Sequence, residues 1–281
     1  MKNENLFKKV RQEIFIKYNP KTLLWKLTFL WRNFPPILKS KLIKQFGYLY
    51  SRNVQYFGEF GYELLAVIPY AYWLKQRDIL NSTLSVEDTK CLYYFSKSHF
   101  ETKIKRRTMG ISDFPLTSIH TSNLDTYQWY PPPYKKVYKN KIFRWNKPIC
   151  IICNKYTSEW GGVSKDIPDD DQIHLSFDDF TIIKNHFSNI ITIQDLVKKH
   201  NNLTFNELQL KLYSNCNNFI SVQGGSSVLA SYFGGKNIIF AKKGGEVNNN
   251  SYSWFHKLSG AKIFHENDNF KLIETIKNEF L

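Results

Sequence analysis

Cysteine is scarce in this chain, with four in 281 residues. That number cannot form a disulfide framework at this length, so the fold must rest on a hydrophobic core, and reduced thiols fit an intracellular setting. Cys150 and Cys153 are spaced as C-x-x-C, but they lie inside the apolar run Pro148 to Cys153. On a strand, positions three apart point to opposite faces, so the two sulfurs do not converge on a metal. Also missing is an uninterrupted stretch of about 18 apolar residues, the length a membrane span needs. The basic start is not followed by an apolar h-region and a small-residue cleavage site, so no signal peptide is expected. No Gly-Lys-Ser/Thr follows a glycine turn at Walker spacing, and no G-x-G-x-x-G is present, which excludes the two commonest nucleotide fingerprints. Acidic residues are few as well: 24 Asp and Glu against 39 Lys and Arg, a formal charge of +15.

What is present fits a folded α/β protein. The apolar share of 42% and aromatic share of 16% supply ample core for one large or two mid-sized domains. The positive charge is uneven. Residues 1–45 hold eleven Lys and Arg against Glu4 and Glu13, a net +9, which leaves +6 for the rest. Basic residues interleaved with Phe7, Phe15, Trp25, Phe29, Trp31 and Phe34 read in two ways. One is an interfacial amphipathic anchor on anionic lipid, and the other is a helical extension packing its aromatics on the body.

The chain is organised around residues 218–241. Phe219 to Val222 reads as a buried strand, Gln223-Gly-Gly-Ser-Ser227 as a glycine turn opening a helix from about Ser226 to Phe233, and Asn237 to Ala241 as a second strand. Gly224 and Gly225 allow close backbone approach to a ligand, and Ser226 or Ser227 can cap the helix, whose first amides suit a phosphate. The plain alternative is a crossover whose glycines only make a tight turn. The same design stands earlier: a strand at Asn53–Phe57, the loop Gly58-Glu-Phe-Gly-Tyr-Glu63, and a helix over Leu64–Leu74 that Pro69 kinks or divides. Glu59 and Glu63 fall at the strand-to-helix turn, where open α/β sheets place ligands. Either is a candidate general base, while Glu63 in a first helical turn is also simply a favourable charge.

Further strands are expected at Lys90–Ser96, Ile149–Cys153, Asn189–Ile193 and Ala261–Phe264. Helices are expected over Phe177–Phe187, from a capping box Thr204-Phe-Asn-Glu207 to about Asn215, and from Phe270 to Leu281. The run Lys103 to Arg107 reads as a solvated basic face, and Asp169-Asp-Asp171 as a polar turn or helix start. Lys155, just past the strand ending at Cys153, is placed against a phosphate or in solvent. The proline-rich Tyr130 to Tyr134 leads into a boundary near residues 135–147. These signals divide the chain into a basic helical extension (1–50), a first α/β domain (51–145) and a second (146–281) with mostly parallel sheets.

Phe57-Gly-Glu-Phe-Gly-Tyr-Glu-Leu-Leu65 resembles the glycine loop at the start of N-terminal domains in fucosyltransferase-like glycosyltransferases of the GT-B type. Tyr213 to Ala230 resembles the C-terminal segment that holds the donor diphosphate in that superfamily. The resemblance implies two Rossmann-like domains facing across a cleft. It implies transfer of a sugar from a nucleotide diphosphate sugar to a hydroxyl of a glycan or lipid-linked acceptor, with neither cofactor nor bound metal; an inverting mechanism is the expectation, with retention the alternative. It would assign the donor to Gln223, Gly224, Gly225, Ser226, Ser227 and Glu246, with Lys155 as the cation, and the proton transfer to Glu59 or Glu63. The His-x-Arg-Arg-type motif of the α-1,2 and α-1,6 fucosyltransferases has no counterpart here, so fucose transfer is not implied.

The expected setting is cytoplasmic, with residues 1–45 available to an anionic membrane surface. Two other readings compete. One is a non-catalytic sugar-nucleotide-binding or partner subunit. The other is a nucleic-acid-associated protein, disfavoured because no nucleic-acid module is present.

Overall fold

The structure, a computed structural model, describes residues 52–104, 106, 130–144, 149–153, 181, 189–192, 200, 202–241, 252 and 255–280. The basic extension, Lys155, Asp169 to Asp171, the helix expected over 177–187 and Glu246 lie outside the described residues.

Two parallel sheets carry the chain. The first has the order β1-β2-β3, from β1 (Asn53–Gln55), β2 (Ser82–Val86) and β3 (His99–Thr102). The second contains β4 (Ile149–Cys153), β5 (Asn189–Thr192), β6 (Asn218–Val222), β7 (Lys236–Phe240) and β8 (Lys262–Glu266). Its spatial order is β5-β4-β6-β7-β8, all pairs parallel. Counted within that sheet the order is 2-1-3-4-5, so the winding reverses between β4 and β6. In open α/β sheets the crevice outside the strand carboxyl ends at such a reversal is where ligands bind.

The first helical region is compound: α1 (Phe60–Tyr62), a π turn (Glu63–Val67) and α2 (Ile68–Gln76) follow without a break. Within the π turn the Ile68 amide reaches Glu63 O rather than the α-helical acceptor, Leu64 O. The π-spaced donor to Leu64 O would be residue 69, a proline without an N–H. The carbonyl thus released accepts from the Tyr232 hydroxyl at 3.1 Å, a residue of the second half. Pro69, expected to kink the helix, sits in the first turn of α2.

The second half follows the sequence reading closely. Helix α4 (Phe205–Tyr213) has Thr204 at its N-cap, whose side chain accepts from the Glu207 amide. Helix α5 (Gly225–Ser231) joins β6 to β7, α6 (Phe255–Ser259) precedes β8, and α7 (Asn269–Phe280) closes the chain. Leu272, Ile273, Ile276 and Phe280 line one stripe of α7 and pack with Ile220, Val222, Ile238 and Phe240 on one face of the sheet. The alternate residues Phe219 and Ile239 face the other way, into the main core. A sheet buried on both faces explains why these strands read as nearly continuous apolar runs.

The expected strand at Lys90–Ser96 is not one. Lys90–Phe95 forms turns, with the amides of Leu92 and Tyr93 both donating to Thr89 O. The Glu101 carboxylate accepts from the amides of Thr89 and Lys90, which seals the start of these turns. Leu92 and Tyr93 plunge into the core as a plug. The strands of this region are β2 and β3, whose inward positions include the buried Thr83 and Ser85.

The main core is continuous across both halves, from Val54, Leu64 and Tyr93 to Leu208, Phe219, Tyr232 and Phe255. The segment 130–144, expected to lead into a boundary, bridges the halves. Within α3 (Tyr134–Val137), Tyr134 stacks on Phe233, and Lys135 Nζ donates to Asn217 Oδ1 and Phe233 O at 2.8 Å each. Asp88, at a positive φ of 65°, accepts from the Asn206 amide at 2.9 Å through Oδ2. These bonds anchor α4 to the first half.

Candidate functional site

The two glycine turns meet. A Cβ placed on Gly61 would stand 3.7 Å from Gly225 Cα and 3.5 Å from Glu59 Oε1. A Cβ placed on Gly225 would overlap Phe60 Cδ1 and come within 3.3 Å of Gly61 N. Gly225 is therefore required by close approach of the first turn. Gly224 is required for a different reason: its φ of +135° and ψ of −164° belong to a region that essentially only glycine occupies. Among the described residues, chain neighbours aside, nothing lies within 4 Å of the point where a Gly224 Cβ would be. The second turn thus has one face covered by Phe60 and an open face at Gly224.

The first turn is held by charge. Glu63 is fully buried. Its Oε1 accepts from Ser85 Oγ at 2.6 Å and from the Tyr93 hydroxyl at 2.9 Å. Its Oε2 lies 2.7 Å from Arg106 Nη2, an ion pair without the alignment of a hydrogen bond. Burial, and then the Glu63 charge, hold the Tyr93 phenol well above its ordinary range, so it stays protonated and donates. Arg106 also donates through Nη1 to Gly58 O at 2.9 Å, and its guanidinium lies 5.0 Å from the Phe60 ring centroid.

Behind Tyr93 lies a second polar group. The His99 ring stacks on Tyr93 with centroids 4.8 Å apart. The Thr89 hydroxyl spends its proton on Val86 O, so at the 3.2 Å contact it accepts from His99 Nε2. The Thr83 hydroxyl then donates to Nδ1 at 2.8 Å. Burial lowers the His99 pKa below 6.5, against the opposing pull of Glu101.

The second turn is held by neutral groups. Ser227 Oγ donates to Gly224 O at 2.7 Å and accepts from the Gly224 amide at 3.2 Å. Its single proton is then used, so Tyr252 donates to it across 2.9 Å. Asn237, buried on β7, accepts from Ser221 Oγ and donates to Ser227 O and Ser231 Oγ. That side chain pins α5, and with it the turn, to the sheet. Helix α5 has only seven residues, so its backbone dipole is short and the local amides matter more than the helix.

Of the residues read from the sequence, Glu59, Glu63, Gly224, Gly225, Ser226 and Ser227 come together at this joint. Glu59 is half-buried, at the N-cap of α1. Glu63 has both oxygens engaged, and Ser227 spends its hydroxyl inside the turn. Ser226 is half-buried, and Gln223 is buried with its amide donating to Phe240 O. Arg106 was not legible as a site residue. It stands in a basic run that reads as a solvated face, yet its side chain is only 17% exposed. Among the described residues no group of three or more His, Cys, Asp or Glu is placed to hold a metal ion. Nor is any described helix long and apolar enough to cross a membrane.

No family model, curated protein or solved structure matches the chain.

Proposed function

We propose that this chain is a glycosyltransferase of the GT-B type, moving a sugar from a nucleotide diphosphate sugar to a hydroxyl of a glycan or lipid-linked acceptor. In this reading two Rossmann-like units oppose the carboxyl ends of their strands, and the donor and acceptor meet at the paired turns. The observation that carries it is the contact of two glycine turns, one of them beside the β4/β6 reversal of a 2-1-3-4-5 sheet.

The open face at Gly224 is the place for the donor diphosphate, with Gln223, Gly225 and Ser226 around it; Lys155 and Glu246, which the resemblance assigns to the donor, follow β4 and β7 in the sequence and lie outside the described residues. A diphosphate leaving group develops charge as the glycosidic bond breaks, and fixed amides and a cation stabilise it without reorganising. Glu59, whose carboxylate lies against Gly61, takes the acceptor proton. The acceptor oxygen then forms its bond to the sugar C1 as the bond to the diphosphate breaks, and the diphosphate leaves with the electron pair. Glu63 is not assigned this step, because releasing it would strip a buried carboxylate of Ser85, Tyr93 and Arg106 together. The basic segment 1–45 would bring the chain to anionic or diphosphate-linked lipid.

The test is donor hydrolysis and transfer across UDP-, GDP-, CMP- and dTDP-sugars. Turnover of one donor that falls by about 100-fold in Glu59→Gln, the scale of a general base, supports the reading. Tight donor binding without turnover would favour a non-catalytic sugar-nucleotide-binding subunit instead.

A further inference from the structure

We infer that Arg106 is the positioning residue that couples the two glycine turns and so sets the affinity of the open Gly224 face for a nucleoside diphosphate; the affinity part rests on the function proposed above. The argument begins with what one guanidinium touches. Nη1 holds the Gly58 carbonyl, Nη2 faces the buried Glu63 carboxylate, and the plane lies over Phe60. These three points span the whole first turn, from the residues after β1 into the π turn.

Glu63 is itself fixed to the floor of the first half by Ser85 on β2 and by Tyr93 in the core plug. Arg106 therefore ties the turn to a rigid base with two separate nitrogens of one planar fork, Nη1 hydrogen-bonded to Gly58 O and Nη2 ion-paired with Glu63, which a lysine's single ammonium does not reproduce. The far side of the same turn is Phe60 and Gly61, the two residues that cover Gly225. Loss of the fork frees Phe60 to move, and with it the contact that fixes the backbone beside Gly224.

A purely structural ion pair makes a different prediction. Replacing both partners of a buried pair by apolar groups is often neutral for stability, whereas removing one is not. The double variant Glu63→Gln/Arg106→Leu thus removes both charges and the fork while leaving Ser85 and Tyr93 an acceptor on the side chain at position 63.

The experiment combines amide hydrogen exchange of the ligand-free chain with calorimetric titration of UDP, GDP and CDP, for wild type, Arg106→Lys and the double variant. Expected are about tenfold faster exchange at Phe60–Tyr62 and at Gly225–Ser226 in both variants, with β6 and β7 protected as in wild type. Affinity for the nucleotide that wild type binds should fall by about tenfold in both. Wild-type exchange at Gly225–Ser226 in Arg106→Lys would overturn the coupling. So would a double variant that regains both protection and affinity, because Arg106 would then serve stability alone. If wild type binds none of the three nucleotides, the proposed function fails, while the exchange measurements still decide the role of Arg106.

Discussion

The first and second glycine turns are spelled alike, strand then glycines then helix, yet they are held by opposite means. A buried ion pair fixes Gly58 to Glu63, through Arg106. Neutral hydroxyls and one amide side chain fix Gly224 to Ser227, through Ser227, Tyr252 and Asn237. Charge reaches far and holds a turn from a residue 43 positions on, but it leaves a costly orphan when one partner is lost. Neutral bonds are each modest and mostly local, so the second turn should degrade by steps.

The largest effect is expected at the charged turn. Arg106→Ala leaves the buried Glu63 carboxyl without its ion-pair partner, and should cost about 3–5 kcal/mol in a denaturant titration. A loss near that of an exposed pair would mean that the first turn is not charge-held. Next come the two glycines of the second turn, which separate conformation from crowding. Gly224→Ala places a side chain at a φ of +135° and should cost about 1–3 kcal/mol whatever its neighbours. Gly225→Ala should cost a similar amount through overlap with Phe60, and Phe60→Leu should recover part of the loss at Gly225 but none at Gly224. Equal rescue of both would break the distinction.

Asn237→Ala removes the pin between β7 and α5 and should cost about 1–3 kcal/mol, by chemical or thermal unfolding. The Glu63–Arg106 pair should be untouched.

The smallest effect concerns pH. Burial lowers both His99, behind the first turn, and His265, whose ring sits 5.2 Å from that of Tyr252 beside the second. Between each folded value and 6.5 the unfolded chain binds more protons than the folded one. Stability is therefore complete above about 6.5 and declines as pH falls through that window. His99→Asn and His265→Asn should each flatten the slope of stability against pH over this range, read by thermal unfolding in a pH series. A steeper slope in either variant would reverse the sign assigned here.

The two regions also differ in how far they were legible. In the second half the strands are apolar on both faces, and the glycine turn, Ser227 and the Thr204 cap all act within a few residues of themselves, so local pattern carried them. In the first half β2 and β3 turn Thr83, Ser85 and His99 toward the interior, where the polar group behind Glu63 needs them. Hydrophobic alternation is silent on such strands, and the apolar run at Cys91–Phe95, which does look like a strand, is spent as a core plug. Arg106 was hidden for a related reason. A basic run gives no sign of which member turns inward, and the carboxylate that selects it lies far away in sequence. The meeting of Gly61 with Gly225 is a product of the shared core, which no local pattern encodes.

The central claim is that the paired turns form one anion-binding site open at Gly224. It is tested most directly by calorimetric titration of the wild-type chain and Gly224→Val with UDP, GDP and CDP. The account predicts saturable binding of one nucleoside diphosphate to wild type and its loss in Gly224→Val, with that variant shown to be folded by its circular dichroism. Equal affinity in the two proteins, or no binding by wild type, would contradict it.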